Sequence, residues 1–269
     1  MNSASEMLLS AVVRYRDTLV ARSKAIPVFL SNRMAWVAIG WLLFVVPLAL
    51  LKLAFPAVAI HSLADAKPIL IAYSAIIVAP IAGYLIATDA YGDKYSRKRL
   101  DFHLSFYGRW NKVSEDSARQ DSYFGPAGFL ASLLIGLLLN VVVRTGEFFL
   151  AVPAMSAHAP DWGMTLFVTM SADVVIASFF YMAAFVMALR SIPLFPRMLL
   201  FAWSIDIMMQ LVIAERFAQV SDIPPGVVAP LTDLLTGNVT KVLISIVVWM
   251  PYLLLSRRVN VTYRFRTPA

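Results

Sequence analysis

The chain has 269 residues, 60% of them hydrophobic and only 14% charged, with a formal net charge of +7. Soluble domains sit near roughly 45–50% apolar and 25% charged, so this chain has too few charges to cover a water-facing surface. It contains no cysteine, which excludes disulfides, thiolate metal sites and a cysteine nucleophile.

The composition predicts an all-α, polytopic membrane helix bundle. Residues 1–34 precede the first span. Leu8, Val12, Tyr15 and Leu19 recur there at helical spacing, which predicts an amphipathic helix on the membrane surface. The short apolar run Met7-Leu8-Leu9 is followed by Arg14 and Arg16, the reverse of a secretory signal. Residues 35–88 hold two spans, Ala35 to Phe55 and Ile69 to Thr88, each long enough to cross a bilayer at about 20 residues. Pro47 is expected to kink the first, and Pro80 with Gly83 to bend or crowd the second.

Residues 89–125 form the longest polar segment, with Lys94, Arg97, Lys98, Arg99, Arg109, Lys112 and Arg119. Phe102, Phe106 and Trp110 share a helical face. This predicts a helix at the headgroups, with aromatics inward and Lys98 and Arg99 on the phosphates. Residues 126–263 supply four further spans, at about 126–143, 164–189, 197–214 and 240–255. The link between the middle two is short and proline-bearing, Arg190-Ser191-Ile192-Pro193-Leu194-Phe195-Pro196-Arg197. Pro230 to Leu235, before Gly237, predicts a short separate helix in the last loop.

Lys and Arg concentrate before spans one, three and five and after span six. The positive-inside rule then places six spans with both termini in the cytoplasm. The same clustering on loops favours membrane topology over nucleic-acid binding.

Three places carry a family likeness: Gly125-Pro126-Ala127-Gly128-Phe129-Leu130, then Phe195-Pro196-Arg197, and the closing run Trp249-Met250-Pro251-Tyr252-Leu253-Leu254-Leu255-Ser256-Arg257-Arg258-Val259 with Thr262-Tyr263. Through them residues 125–263 resemble a domain-of-unknown-function family of small four-span bacterial inner-membrane proteins. The resemblance implies a fold type and a bacterial inner membrane, and no activity. In the closing run, Pro251 frees a carbonyl one turn earlier. Tyr252, Arg257 and Arg258 are expected at the interface, with the arginines on anionic phosphates.

The chemistry rests on polar residues inside the spans. An acid at mid-membrane costs about 2.5–3.5 kcal/mol on insertion scales, so Asp173 and Asp206 need a reason to be there. Counting inward at 1.5 Å per residue places Asn140 and Asp173 at similar depth, roughly 20 Å in. Arg144 lies one turn beyond Asn140, so a cluster of Asn140, Arg144 and Asp173 is expected, with Thr169 adding a hydroxyl. Asp206 lies at about 14 Å by the same rise, sharing a face with Trp203 and Gln210 and with no basic residue at its depth. Each acid reads either as a buried polar clasp between helices or as part of a proton pathway.

Two intramembrane aspartates also suggest intramembrane aspartic proteases, which need Gly-x-Gly-Asp and Tyr-Asp. The contexts Met170-Ser171-Ala172-Asp173 and Trp203-Ser204-Ile205-Asp206 match neither. His61, His103 and His158 are scattered, and no nucleotide loop or serine elbow is present. Asn238-Val239-Thr240 matches a glycosylation acceptor only by chance. The expectation is a non-enzymatic inner-membrane protein without cofactor or metal. It would be an accessory or scaffolding subunit contacting lipid and either a membrane-protein partner or further copies of itself. The alternative is a small proton-coupled transporter using Asp173 and Asp206.

Overall fold

The computed structural model describes residues 3–92 and 108–269, with side chains from residue 23 onward. In chain order the elements are α1 (Ser3–Ala54), α2 (Leu63–Ala90), β1 (Trp110–Lys112), α3 (Glu115–Gln120), α4 (Phe129–Ala151), α5 (Asp161–Leu189), α6 (Phe195–Ala218), α7 (Pro225–Leu255), α8 (Arg257–Arg264) and β2 (Arg266–Pro268). Among the described residues, six helices are long and apolar enough to cross a membrane: Ser23–Ala54 of α1, then α2, α4, α5, α6 and α7. The chain is a polytopic membrane protein, and its helices carry apolar side chains outward into lipid.

The helix α5 is the axis. Its most apolar stretch is 67% buried, against 17% for α7. It packs on α2, α4 and α6, while α1 rests on α4 and α7 on α6. Helices α2 and α5 approach closely at Gly83. A Cβ on Gly83 would stand 2.6 Å from the backbone oxygen of Phe179, and only a residue without a side chain lets two backbones meet so closely. Gly83→Ala is therefore expected to lower stability by about 1–3 kcal/mol, as overpacking does. Thermal unfolding in detergent checks it. Gly40→Ala is the control, because nothing lies within 4 Å of that position.

The N-terminal segment and the first span are two helices that meet at a kink at Arg33 (φ −119°, ψ 15°), at the expected boundary, and the second runs on through Pro47. Two other expectations about boundaries need correction. The third span does not stop at Val143. It passes Arg144 and Glu147 to Ala151, because both charges find partners on other helices, Arg144 inside the bundle and Glu147 with Lys241 on its exposed side. The sixth span opens at Pro225, not Thr240, and absorbs the expected short helix at 230–235. There Pro225 occupies the first turn, where its missing N–H costs nothing.

The chain end folds back as a plug. Val259, Val261, Tyr263 and Phe265 are all at most 2% exposed. The Tyr263 hydroxyl donates to the Ala188 carbonyl at the end of α5, at 2.9 Å. Burial, with Arg266 nearby, lowers the pKa of Arg264 to about 10; its guanidinium donates to the Leu253 carbonyl at 2.8 Å. Strand β2 pairs antiparallel with β1, Trp110 opposite Pro268. Trp110 thus lies in a strand, not on the expected helical face, because the returning C-terminus offers it a backbone partner. Phe102 and Phe106 of that face lie outside the described residues.

The N-terminal end of α4 joins this same end of the bundle, where Gly128 N–H donates to Ser23 Oγ at 2.7 Å. At the opposite end the loops after α1 and α4 are stitched together. Ala57 N–H donates to the Ala154 carbonyl at 2.9 Å, and His158 Nε2 sits 3.1 Å from Asp65 Oδ1. Asp65 also closes a capping box with Ser62 at the start of α2.

Candidate functional site

Midway along the bundle a single guanidinium holds two carboxylates. Arg144 on α4 donates through Nη2 to both oxygens of Asp173 on α5, each at 2.7 Å. Its Nη1 lies 2.8 Å from Asp206 Oδ2 and 2.7 Å from Asp206 Oδ1, on α6. Both aspartates are 1% exposed and Arg144 8%. Local sequence explains the placement. The three residues sit in the interiors of largely apolar helices, so each charged side chain is turned to the opposite charge on the facing helix.

Two more helix positions complete the shell. Gln210, one turn beyond Asp206 on α6, donates to Asp173 Oδ1 at 2.9 Å. Tyr181 on α5 donates to Asp206 Oδ2 at 2.7 Å. Asn238 on α7 in turn donates to Gln210 Oε1 at 3.2 Å. Four helices are tied by one polar network. Every named partner of the two carboxylates is a donor, the arrangement that satisfies a buried acid.

The geometry sorts the sequence candidates. It brings together Arg144, Asp173, Asp206 and Gln210. Asp206, expected to lack a basic partner, has Arg144, because the long guanidinium arm spans the depth offset counted from backbone positions. Asn140 stays out of the network. It lines the adjoining cavity, and its Nδ2 is buried with no hydrogen-bond partner among the described residues. Thr169 does not reach Asp173 either. Its hydroxyl donates back to the Thr165 carbonyl at 2.7 Å, the usual habit of a mid-helix threonine. Tyr181 and Asn238 carry no signal of this role in the sequence: Tyr181 lies within an apolar run, and Asn238 precedes the expected start of the sixth span.

The cavity has a volume of about 370 Å³ and lies between α4 and α7, with Tyr181, Trp203 and Asp206 at its floor. At one end Phe129 of α4 stacks on Trp249 of α7, ring centroids 4.5 Å apart. At the other, Lys241 of α7 pairs with Glu147 of α4. Leu139 and Ile244, on the two sides of the opening, are 56% and 58% exposed and face the lipid.

Of the residues expected at the interface, one departs from the expectation. Arg258 is withdrawn, 8% exposed, and donates to the carbonyls of Tyr123 and Gly125 at 3.2 and 3.3 Å. It braces the turn before α4 instead of meeting phosphates. Arg257 pairs with Asp121 at 3.0 Å and lies 4.3 Å over the Tyr123 ring. Burial alone would raise the Asp121 carboxyl. The Tyr123 N–H and the Arg257 guanidinium outweigh it and hold the group below the usual carboxylate range. Tyr252 meets Phe129 edge-on at 5.0 Å. Lys98 and Arg99 lie outside the described residues.

Comparison of the chain with family models, with curated proteins and with solved structures gave no match.

Proposed function

We propose that the protein is a small proton-coupled membrane carrier whose Arg144, Asp173 and Asp206 hold one exchangeable proton. The observation that carries this is an imbalance of charge. Two carboxylates share one guanidinium in the middle of the bundle. With both ionised, one negative charge is left uncompensated in a low-dielectric interior, where a buried ion costs several kcal/mol. One proton removes it. An intramembrane acid beside a cavity is also where a coupling proton belongs. Tyr181 and Gln210 hold the carboxylates in place in either state.

The same charges support an assignment to a bacterial cytoplasmic membrane with both termini inside. Lys112, Arg119, Arg190, Arg197, Arg257, Arg258 and Arg266 collect at the end where the plug sits, as the positive-inside rule asks. A hydrolytic role is disfavoured, because the guanidinium engages each carboxylate. The accessory, scaffolding role draws on the polar segment 89–125, of which residues 93–107 lie outside the described part of the chain, and on the aromatic-rich helices.

Proteoliposomes with a trapped pH dye test the proposal. A panel of small amphiphiles is added across an imposed pH gradient. The expected result is that at least one collapses the gradient with wild-type protein and none does with Asp173→Asn or Asp206→Asn, although both variants reconstitute. Equal collapse by wild type and both variants, or none with wild type, would remove the carrier reading.

A further inference from the structure

The cavity beside the triad carries two N–H donors with nothing to donate to. Asn140 Nδ2 and Arg144 Nε are both buried and have no hydrogen-bond partner among the described residues. Buried polar atoms are nearly always paired, and an unpaired one costs about 1–3 kcal/mol. These two lie one turn apart on α4, in the wall of one cavity. Asp206 Oδ1, in the same wall, has an ionic contact with Arg144 but no hydrogen bond of good geometry. A small turn of these side chains toward the cavity would present two donors and one acceptor to a single visitor.

We infer that this cavity binds an uncharged lipophile with a hydroxyl head, entering sideways from the bilayer between α4 and α7. The hydroxyl oxygen accepts from Asn140 or Arg144, and its proton is given to Asp206 Oδ1 as a hydrogen bond. Charge selects the neutral head. With the shared proton in place, the two cations Arg144 and Lys241 balance the two negative charges left among Asp173, Asp206 and Glu147, so a charged head of either sign would bring an uncompensated charge into the cavity. A quaternary cation has no acceptor for the two idle donors. The opening is framed by the Phe129–Trp249 stack and the Lys241–Glu147 pair, and between them α4 and α7 show lipid an apolar rim. A volume of about 370 Å³ falls in the range of small-molecule sites, roughly 300–1,000 Å³. This names the substrate class of the carrier proposed above and rests on that reading for movement, though not for binding.

The test uses the full chain in lipid nanodiscs. A bromine-labelled long-chain alcohol is titrated while tryptophan fluorescence is read, since Trp203 and Trp249 line the cavity. The expected result is saturable quenching that disappears in the Trp203→Phe/Trp249→Phe variant. The alkyl sulfate and alkyl trimethylammonium of equal chain length should bind at least tenfold more weakly. Asn140→Leu should unfold at or above the wild-type temperature, since it removes an unpaired donor, yet bind the alcohol at least tenfold more weakly. Competition in wild type by the unlabelled alcohol, but not by the alkane, checks the head group without any variant. Charged analogues binding as tightly as the alcohol, unsaturable quenching, competition by the alkane, or unchanged binding by a folded Asn140→Leu would each overturn the inference. Saturable binding with no proton movement in proteoliposomes would leave this site standing and remove the carrier. Proton movement driven only by a charged amphiphile would do the opposite.

Discussion

Arg144→Leu is expected to be the most damaging single substitution in the chain. It leaves Asp173 and Asp206, each 1% exposed, buried on α5 and α6 with no cation between them. Removing one partner of a buried ion pair costs about 3–5 kcal/mol, and here one guanidinium serves two acids. The variant should accumulate poorly in membranes. In detergent it should unfold at much lower denaturant, followed by tryptophan fluorescence. The triple variant Arg144→Leu/Asp173→Asn/Asp206→Asn should recover most of that loss, because no ion remains buried and the amides can still bond to Tyr181 and Gln210. The rescue separates charge from shape. If Arg144→Leu alone matched the triple variant in stability, the acids would not depend on the guanidinium.

Deleting residues 256–269 is expected to have the second largest effect. The deletion removes Val259, Val261, Tyr263 and Phe265, all at most 2% exposed. Fully burying one such apolar side chain stabilises by about 1.5–3 kcal/mol, and an extended reference chain makes such sums upper bounds. A loss on the order of 5 kcal/mol is therefore expected, together with an unpaired β1 and an uncovered end of α5. Hydrogen exchange should show the Trp110–Lys112 amides and the last turn of α5 losing protection. Unchanged protection there would mean that the plug covers nothing the bundle needs. Tyr263→Phe is the milder companion. It removes only the bond to the Ala188 carbonyl, worth about 0.5–1.5 kcal/mol.

How far the sequence reached follows from the same residues. Six runs of apolar side chains announce six helices, because bilayer thickness sets a length that composition either meets or does not. The α5–α6 hairpin was legible for that reason, and so were its two acids, each conspicuous among hydrocarbon. Helix ends were less legible where a charge imitated an interface. Arg144 and Lys241 look like span boundaries in one dimension. In three dimensions each meets an acid from another helix, and the span continues. The same effect hid Asn238. The triad itself was half visible: Asp173 could be matched to Arg144 by depth, but Asp206 could not, since counting along backbones ignores the reach of an arginine side chain. The basic closing run is the clearest divergence. Arg258 reads as a headgroup anchor by composition, yet it braces the turn before α4, because the last residues fold back beneath the bundle. Nothing in a local pattern signals such a return.

The most direct measurement is infrared difference spectroscopy of the protein in lipid, following the stretch of protonated carboxyl groups as pH is varied. A proton shared by the Arg144 cluster predicts one protonated carboxyl in the wild type that is lost in both Asp173→Asn and Asp206→Asn, since either variant leaves one acid balanced by one guanidinium. A wild type with no such carboxyl at any pH where it stays folded, or a band that survives in both variants, would contradict a proton held at this site.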